Sequence, residues 1–167
     1  MQQSSTRMTP KTGGERARAS RCEKRRRNSS GAAYAVFRRE RMPVYSQFAT
    51  AVTGSAAVGQ GLAQSSLDDL KGRWSAALRS ESPASYAWRL FTDVTAPYRT
   101  NTVRFLYENL RAEEADALLL SYRLGLSAAA GGEVMGLPPD AFELLRRTAL
   151  MNANHPRGAR NMSTSNA

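Results

Sequence analysis

The sequence has too few cysteine and histidine residues to build a disulfide scaffold or a metal site. Its 167 residues include one cysteine, Cys22, and one histidine, His155. A single cysteine cannot form an internal disulfide, so a secreted disulfide-stabilised fold is excluded. A zinc site normally takes four ligands, and these two residues lie too far apart along the chain to contribute a convincing one. We therefore expect no bound metal ion.

Long apolar runs are also missing. Mean hydropathy is −0.49, and apolar patches such as Ala117–Leu120 and Ala128–Ala130 are short. Both are far shorter than the ~18 residues of a membrane-spanning helix, so we expect no insertion into a membrane. Apolar residues still make up 41% of the chain, which is enough to build the core of one modest domain.

The familiar motifs of catalysis are absent as well. The sequence contains no P-loop, no G-x-G-x-x-G, no H-E-x-x-H, no C-x-x-C and no nucleophile elbow. The one acidic cluster of note consists of Glu113, Glu114 and Asp116. At this spacing on a helix we expect a solvated face rather than a catalytic pair. We therefore expect no enzymatic activity, no cofactor and no small-molecule substrate.

Positive charge, in contrast, is abundant and concentrated at one end. Of a net charge of +10, residues 1–41 carry +9, from 12 basic and 3 acidic side chains. The remaining residues hold 12 basic and 11 acidic side chains, a net of +1. Such a basic balance, with a pI of about 10.6, is typical of proteins with a polyanionic partner such as DNA, RNA or an anionic membrane face.

Lysine is scarce among the basic residues: only Lys11, Lys24 and Lys71 of the 24 are lysines. The excess of arginine is consistent with bidentate recognition of phosphates, which the planar guanidinium favours. It is equally consistent with the codon bias of a GC-rich genome. Both interpretations stay open.

Residues 1–30 are rich in Ser, Arg, Gly and Thr and lack hydrophobic periodicity, which predicts a disordered arm. The basic run Lys24–Arg27 suits a phosphate-binding arm or a nuclear localisation signal. The arm also has the composition of a mitochondrial presequence, although Pro10 argues against a long amphipathic helix. A third interpretation, a solvated run of charge that carries no targeting signal, also stays open. The residues predicted to contact nucleic acid are Lys24, Arg25, Arg26, Arg27, Arg38, Arg39 and Arg41.

Hydrophobic periodicity predicts helices after Gly31. The first runs to Pro43, which interrupts it, and Val44–Val52 resumes it. Three glycines, Gly54, Gly59 and Gly61, then predict a flexible connection. The second helix spans Leu62–Leu78, where an amphipathic stripe is formed by Leu67, Leu70, Trp74 and Leu78.

Three further helices are predicted. One opens at Ser82-Pro83 and ends at Pro97, with Tyr86, Leu90 and Phe91 on its apolar side and Trp88 off that stripe. The next runs from about Asn101 to Leu124 and is closed by Gly125. After a small-residue linker, Ala128–Gly132, the last begins at Pro138-Pro139, with Asp140 and Glu143 as a capping box.

Aromatic spacing over residues 31–98 resembles that of an HMG box. Tyr34 follows a small residue, Phe37 lies three positions later and Pro43 six beyond that, as in the first helix of the family. Leu70 lies four before Trp74, as in the second helix, while Tyr86 and Tyr98 resemble later aromatics. The resemblance implies a three-helix L shape with a core of Tyr34, Phe37, Trp74 and Tyr86. An unrelated helical bundle is the competing interpretation.

Departures from the family pattern argue against strong bending of DNA. Ala35 stands where the bending members insert a bulky wedge into the minor groove, and Ala32 stands at the polar base-reading position. The segment between Phe37 and Trp74 is longer than in a typical box, with the surplus expected in Thr53–Gly61. Residues 31–99 carry 8 basic and 5 acidic side chains, a net of only +3.

These observations predict an all-α protein: a small helical bundle formed by an HMG-box-like domain and two C-terminal helices, preceded by an extended basic arm. The predicted organisation is an arm (1–30), the box (31–98), a helical extension (99–151) and a polar tail (152–167).

The favoured function is a non-catalytic component of a ribonucleoprotein assembly, such as a mitochondrial ribosome or its assembly intermediate, in the mitochondrial matrix. It would contact neighbouring proteins and rRNA in preference to DNA. Two alternatives stay open: an HMG-box protein that compacts DNA in chromatin or an organellar nucleoid, with a nuclear location in the first case, and a protein–protein subunit of a respiratory or cytoskeletal complex.

Overall fold

A computed structural model describes the backbone of residues 13–153 and the side chains of residues 29–153. Within this part of the chain all regular structure is helical, which confirms the all-α fold class. The seven α-helices are α1 (Gly13–Thr53), α2 (Ala56–Ala77), α3 (Pro83–Thr95), α4 (Asn101–Asn109), α5 (Ala112–Leu118), α6 (Ala128–Met135) and α7 (Pro139–Ala153). A 3₁₀ turn, Ala96–Tyr98, precedes α4, and a π-helical turn, Leu119–Arg123, follows α5.

Helix α1 is longer and more continuous than the sequence predicts. It begins at Gly13, so the prediction of disorder up to residue 30 is wrong for the part of that segment whose backbone the structure describes. The predicted interruption at Pro43 is also wrong, because α1 passes through it. Pro43 is exposed, so the carbonyl that loses its helical partner can be hydrated there. The helix ends at Thr53, and Gly54 follows it with a φ of 72°, in the left-handed region that favours glycine.

The predicted flexible connection is reduced to Gly54 and Ser55. Helix α2 begins at Ala56, where the Ser55 hydroxyl accepts a hydrogen bond from the Val58 amide. Helix α2 therefore contains Gly59 and Gly61, and with them most of Thr53–Gly61, the segment predicted to hold the extra length relative to a typical HMG box. A Cβ at Gly59 would lie 2.5 Å from the Thr50 backbone nitrogen, so this glycine serves the close packing of α2 on α1 rather than flexibility.

Helix α3 agrees with its prediction in both bounds, with Ser82 as N-cap and Pro97 in the turn that ends it. The long helix predicted for residues 101–124 is instead two helices, because the backbone is extended at Leu110 and Arg111. Its predicted end is correct: Gly125, at φ 70°, terminates the π-helical turn.

The predicted linker Ala128–Gly132 is also helical and opens α6, whose N-cap is Ser127. Between residue 98 and Ala153 the structure therefore has four α-helices, where the sequence predicts two. The last of them, α7, runs to Ala153, so Asn152 belongs to the helix and not to the predicted tail.

Aromatic residues form two clusters within one continuous core. In the outer cluster, Tyr34 and Phe37 of α1 contact Trp74 of α2, with ring centroids 5.5 and 5.1 Å apart. These are three of the four residues that the HMG-box resemblance places in the core. The fourth, Tyr86, is half-buried against the same core and makes no ring contact with them among the described residues. The resemblance itself stays a prediction.

The inner cluster was not predicted. It consists of Tyr45 and Phe48 of α1 with Trp88 and Phe91 of α3, and all four are buried. The prediction that Trp88 lies off the apolar stripe is wrong: it is 3% exposed.

Among the helices that the structure describes, none combines the length and the apolar character that a membrane span requires.

Candidate nucleic-acid interface

A basic groove lies between α1 and the second half of α2. Its volume is about 570 Å³, and Arg38, Arg39 and Lys71 supply its charged lining. None of its eight lining residues is acidic. Arg39 and Lys71 are exposed, and neither takes part in the ion pairs found among residues 29–153. Two of the three charges in the groove, Arg39 and Lys71, are therefore not neutralised by any ion pair among residues 29–153.

Arg38 is only loosely held at the rim of this groove. Its Nη2 lies 3.5 Å from Oδ1 of Asp68, and the carboxylate side chain is 58% exposed. Exposed ion pairs of this kind contribute little to stability. Arg38 can therefore exchange the carboxylate for a phosphate at small cost.

Arg41 is engaged within the protein. Its Nη2 donates to Oε1 of Glu133 on α6 at 2.8 Å, and its guanidinium carbon lies 5.6 Å from the centre of the Phe37 ring. Only 12% of its side chain is exposed. Of the three arginines predicted here, Arg41 ties α1 to α6, while Arg38 and Arg39 face the groove.

The remaining predicted contacts, Lys24, Arg25, Arg26 and Arg27, have side chains outside the described residues. Their backbone is part of α1. The same helix therefore carries the basic run and the residues that line the groove. Lys71 was not among the predicted contacts, because its closeness to Arg38 and Arg39 arises only when α2 packs against α1.

A second groove, here called the Tyr122 groove, lies where α1 and the start of α2 meet the π-helical turn. Its volume is about 690 Å³. Six of its nine lining residues carry polar groups, namely Ser46, Gln47, Thr50, Gln60, Tyr122 and Arg123. None of its nine lining residues is acidic. No signal in the sequence indicated this groove, because its third wall, residues 122–124, is far along the chain from the other two.

The acidic cluster is not the solvated face that the sequence predicts. Glu113 is exposed, but Glu114 and Asp116 are buried. Asp116 lies within a run that is buried from Glu114 to Leu120. The apolar neighbours of Asp116 on both sides were the available signal for burial.

Asp116 joins three helices. Its Oδ2 accepts a hydrogen bond of 3.0 Å from Nε1 of Trp88 on α3, and its Oδ1 accepts one from the Tyr107 hydroxyl on α4. Burial raises the pKa of Asp116 from an ordinary 3.8 to about 6, although both hydrogen bonds act in the opposite direction. Because both oxygens are satisfied by neutral donors, the carboxyl group fastens α3 and α4 to α5 rather than facing a ligand.

Arg99 completes this centre. Its guanidinium carbon lies 3.4 Å from the centre of the Tyr107 ring, a cation–π contact. Burial, and then the neighbouring Asp116 carboxylate, raise the pKa of the Tyr107 hydroxyl far above its ordinary value. Tyr107 therefore stays protonated and keeps donating to Asp116.

Glu114 fixes the break between α4 and α5. Its carboxylate accepts from the Arg111 backbone amide at 3.2 Å and from the Arg111 guanidinium at 2.7 Å. Asn152 of α7 donates to it as well. Burial would raise the pKa of Glu114, but these hydrogen bonds outweigh burial and lower it. This carboxylate is therefore also a structural anchor.

The predicted capping box of Asp140 and Glu143 is wrong, because α7 begins at Pro139 and Asp140 lies in its first turn rather than at the N-cap. Glu143 accepts hydrogen bonds from both Arg146 and Arg147 instead. These bonds lower the pKa of Glu143 to about 2.

Among the described residues, no group of three or more His, Cys, Asp or Glu side chains is placed to hold a metal ion. No family model, curated protein or solved structure matches the chain. Function has to be inferred from the two grooves and the charge around them.

Proposed function

We propose that the protein is a non-catalytic structural component of a ribonucleoprotein assembly that binds RNA through its basic N-terminal region and the basic groove. The observation that carries the proposal is the separation of charge: a net of +9 in residues 1–41 and of +1 in the remainder. Basic side chains replace the counterions condensed on the phosphates of a nucleic acid, and the release of those counterions favours binding.

The basic groove supports this proposal because its charges are available. Arg39 and Lys71 lie on two adjacent helices and face no carboxylate within the groove. Point charges on neighbouring helices suit phosphate contacts, which position a nucleic acid without reading its sequence. The nearly neutral rest of the protein suits contacts with neighbouring proteins, as in a mitochondrial ribosome in the matrix.

The test is a titration of structured RNA and of duplex DNA with the full chain, by fluorescence anisotropy, between 50 and 200 mM salt. One variant replaces the four residues of the basic run by glutamine, and a second carries Arg39→Gln and Lys71→Gln. We expect each removed phosphate contact to reduce the slope of log K against log salt by about 1. Arg104→Gln, an exposed arginine on α4 outside both grooves, should leave the slope unchanged.

The proposal fails if neither variant weakens binding to RNA. Tighter binding to duplex DNA than to RNA would favour the DNA-compacting alternative over an RNA-associated one. Sedimentation of the tagged full chain in a large particle that RNase does not disturb would instead favour a protein–protein subunit.

A further inference from the structure

We infer that the Tyr122 groove binds an unstacked nucleobase of a single-stranded segment whose phosphates lie in the basic groove. The inference rests on the proposed function and adds a base-contacting site to it. A volume of about 690 Å³ lies within the roughly 300–1,000 Å³ typical of sites for small ligands. The groove therefore has room for a base with its sugar.

Tyr122 supplies an aromatic ring that is exposed and yet held in place. Its side chain is 60% exposed, while its hydroxyl accepts a hydrogen bond of 3.0 Å from Arg146. Arg146 is itself fixed by two hydrogen bonds to Glu143. An exposed ring on a fixed support is the usual platform for stacking a base.

The backbone beneath Tyr122 is also unusual. Tyr122 and Arg123 lie in the π-helical turn Leu119–Arg123, and π-helical turns occur frequently at functional sites. Arg123 is exposed and belongs to none of the ion pairs among residues 29–153. It adds a positive charge beside the ring.

Two amide side chains face the same groove from different helices. Gln47 of α1 and Gln60 of α2 line it, and both are exposed. Each amide carries a donor and an acceptor, the combination that pairs with the edge of a base. Ring, amides and guanidinium together match the three kinds of contact that single-stranded nucleic acid receives: stacking, edge hydrogen bonds and charge.

The two grooves follow one another along α1. Pro43 lines the basic groove, while Ser46 and Gln47 line the Tyr122 groove. Residues three and four positions apart are neighbours on a helix surface, so the grooves adjoin. Arg39 and Gln47 are separated by about 12 Å along the helix axis, at 1.5 Å per residue. One strand can therefore contact both.

The experiment compares a fluorescently labelled single-stranded RNA with the same strand made abasic, each bound to the full chain. Tyr122→Ala should weaken binding of the normal strand by about 5- to 150-fold, the usual range for losing one base–aromatic stack. The abasic strand, held by phosphates alone, should bind full chain and variant equally. Tyr122→Phe keeps the ring and loses only the hydroxyl that Arg146 holds, so it should bind more tightly than Tyr122→Ala.

Tyr98→Ala is the matched control, because Tyr98 is similarly exposed, at 53%, and lines neither groove. It should leave both affinities unchanged. Circular dichroism of each variant checks that the helices remain folded. A fluorescent adenine analogue in the strand should be quenched on binding, and Tyr122→Ala should abolish that quenching.

Two outcomes separate this inference from the function on which it rests. If normal and abasic strands bind equally and Tyr122→Ala changes neither, the inference is overturned while binding by charge stands. If neither strand binds the full chain, the proposed function fails and the inference with it. A Tyr122→Phe variant that binds as weakly as Tyr122→Ala would also overturn the inference, because stacking would not then be the source of affinity.

Discussion

The surface that α1 and α2 form around the two grooves, here called the α1–α2 face, differs from the centre around Asp116 in how its charged groups are placed. At the basic groove, Arg39 and Lys71 are exposed and lack ion-pair partners among residues 29–153. At the centre, Asp116 is buried and both of its oxygens accept hydrogen bonds. Exposed charge without a partner costs little stability and is available to a ligand, whereas buried charge must be satisfied by the fold. We therefore expect the first region to serve recognition and the second to hold the architecture.

The largest expected effect is that of removing Trp88 from the centre. Trp88 contacts the rings of Tyr45, Phe48 and Phe91 and donates to Asp116. Trp88→Ala should lower the free energy of unfolding by about 3–5 kcal/mol, the range for truncating a buried aromatic. Urea denaturation followed by circular dichroism measures the change.

Trp88→Phe sharpens that result, because it keeps most of the ring packing and removes the indole donor to Asp116. Its free energy of unfolding should lie between the values for the full chain and for Trp88→Ala. Tyr98→Ala, the exposed aromatic, should change the free energy of unfolding by less than about 0.5 kcal/mol. Equal losses in Trp88→Ala and Tyr98→Ala would break the distinction between a structural centre and an outer surface.

Stability should also depend on pH through Asp116. Its pKa is about 6 in the folded protein and an ordinary 3.8 when exposed. Between these values the folded state binds more protons than the unfolded state, so the free energy of unfolding falls as pH rises. The full shift corresponds to about 3 kcal/mol, at 1.36 kcal/mol for each pH unit of difference. The loss should be complete just above pH 6.

Asp116→Asn isolates this contribution, because it removes the titrating group. Glu114 and Glu143 have lowered pKa values and change stability in the opposite direction, since their contribution is lost as pH falls. Unfolding by urea at pH 4 and at pH 7 gives the difference between full chain and variant at each pH. That difference should move by about 2 kcal/mol, because part of the effect is already lost at pH 4, and a constant difference would show that Asp116 is not buried as an ionisable group.

Local sequence signals predicted the helices that end in strong caps. Ser82-Pro83 and Gly125 mark the ends where the structure has them. The break at Leu110 and Arg111 contains neither glycine nor proline, so no breaker predicted it. It is held by the bonds between Arg111 and Glu114 and by Asn152 from a distant helix. Local sequence propensity does not predict such contacts between distant residues.

Trp88 was misplaced because the prediction drew the apolar side of α3 through Tyr86, Leu90 and Phe91 and did not count Ala87 and Thr95 as buried. The buried face of α3 consists of Ala87, Trp88, Phe91 and Thr95, so a small residue and a hydroxyl residue define half of it. For the interface, the concentration of positive charge was readable from composition, as were Arg38 and Arg39. Lys71 and Tyr122 were not, because only helix packing brings them to their grooves.

The smallest of the three effects tests what holds the α1–α2 face together. A Cβ at Gly59 would lie 2.5 Å from the Thr50 backbone nitrogen and 2.9 Å from its Cα. Because these are backbone atoms, α1 and α2 must separate locally to admit a methyl group. Gly59→Ala should therefore lower the free energy of unfolding by about 1–3 kcal/mol, as overpacking does in well-packed sites.

Gly61 and Gly72 provide matched controls on the same helix, because a Cβ at either would meet nothing within 4 Å. Alanine there should raise the free energy of unfolding by about 0.5–1 kcal/mol through helix propensity alone. The opposite signs can arise only if α1 and α2 approach closely at Gly59, beside the Tyr122 groove. If Gly59→Ala were as stabilising as the controls, the helices would not be in contact there, and the charges of the α1–α2 face would have no fixed arrangement to offer a strand.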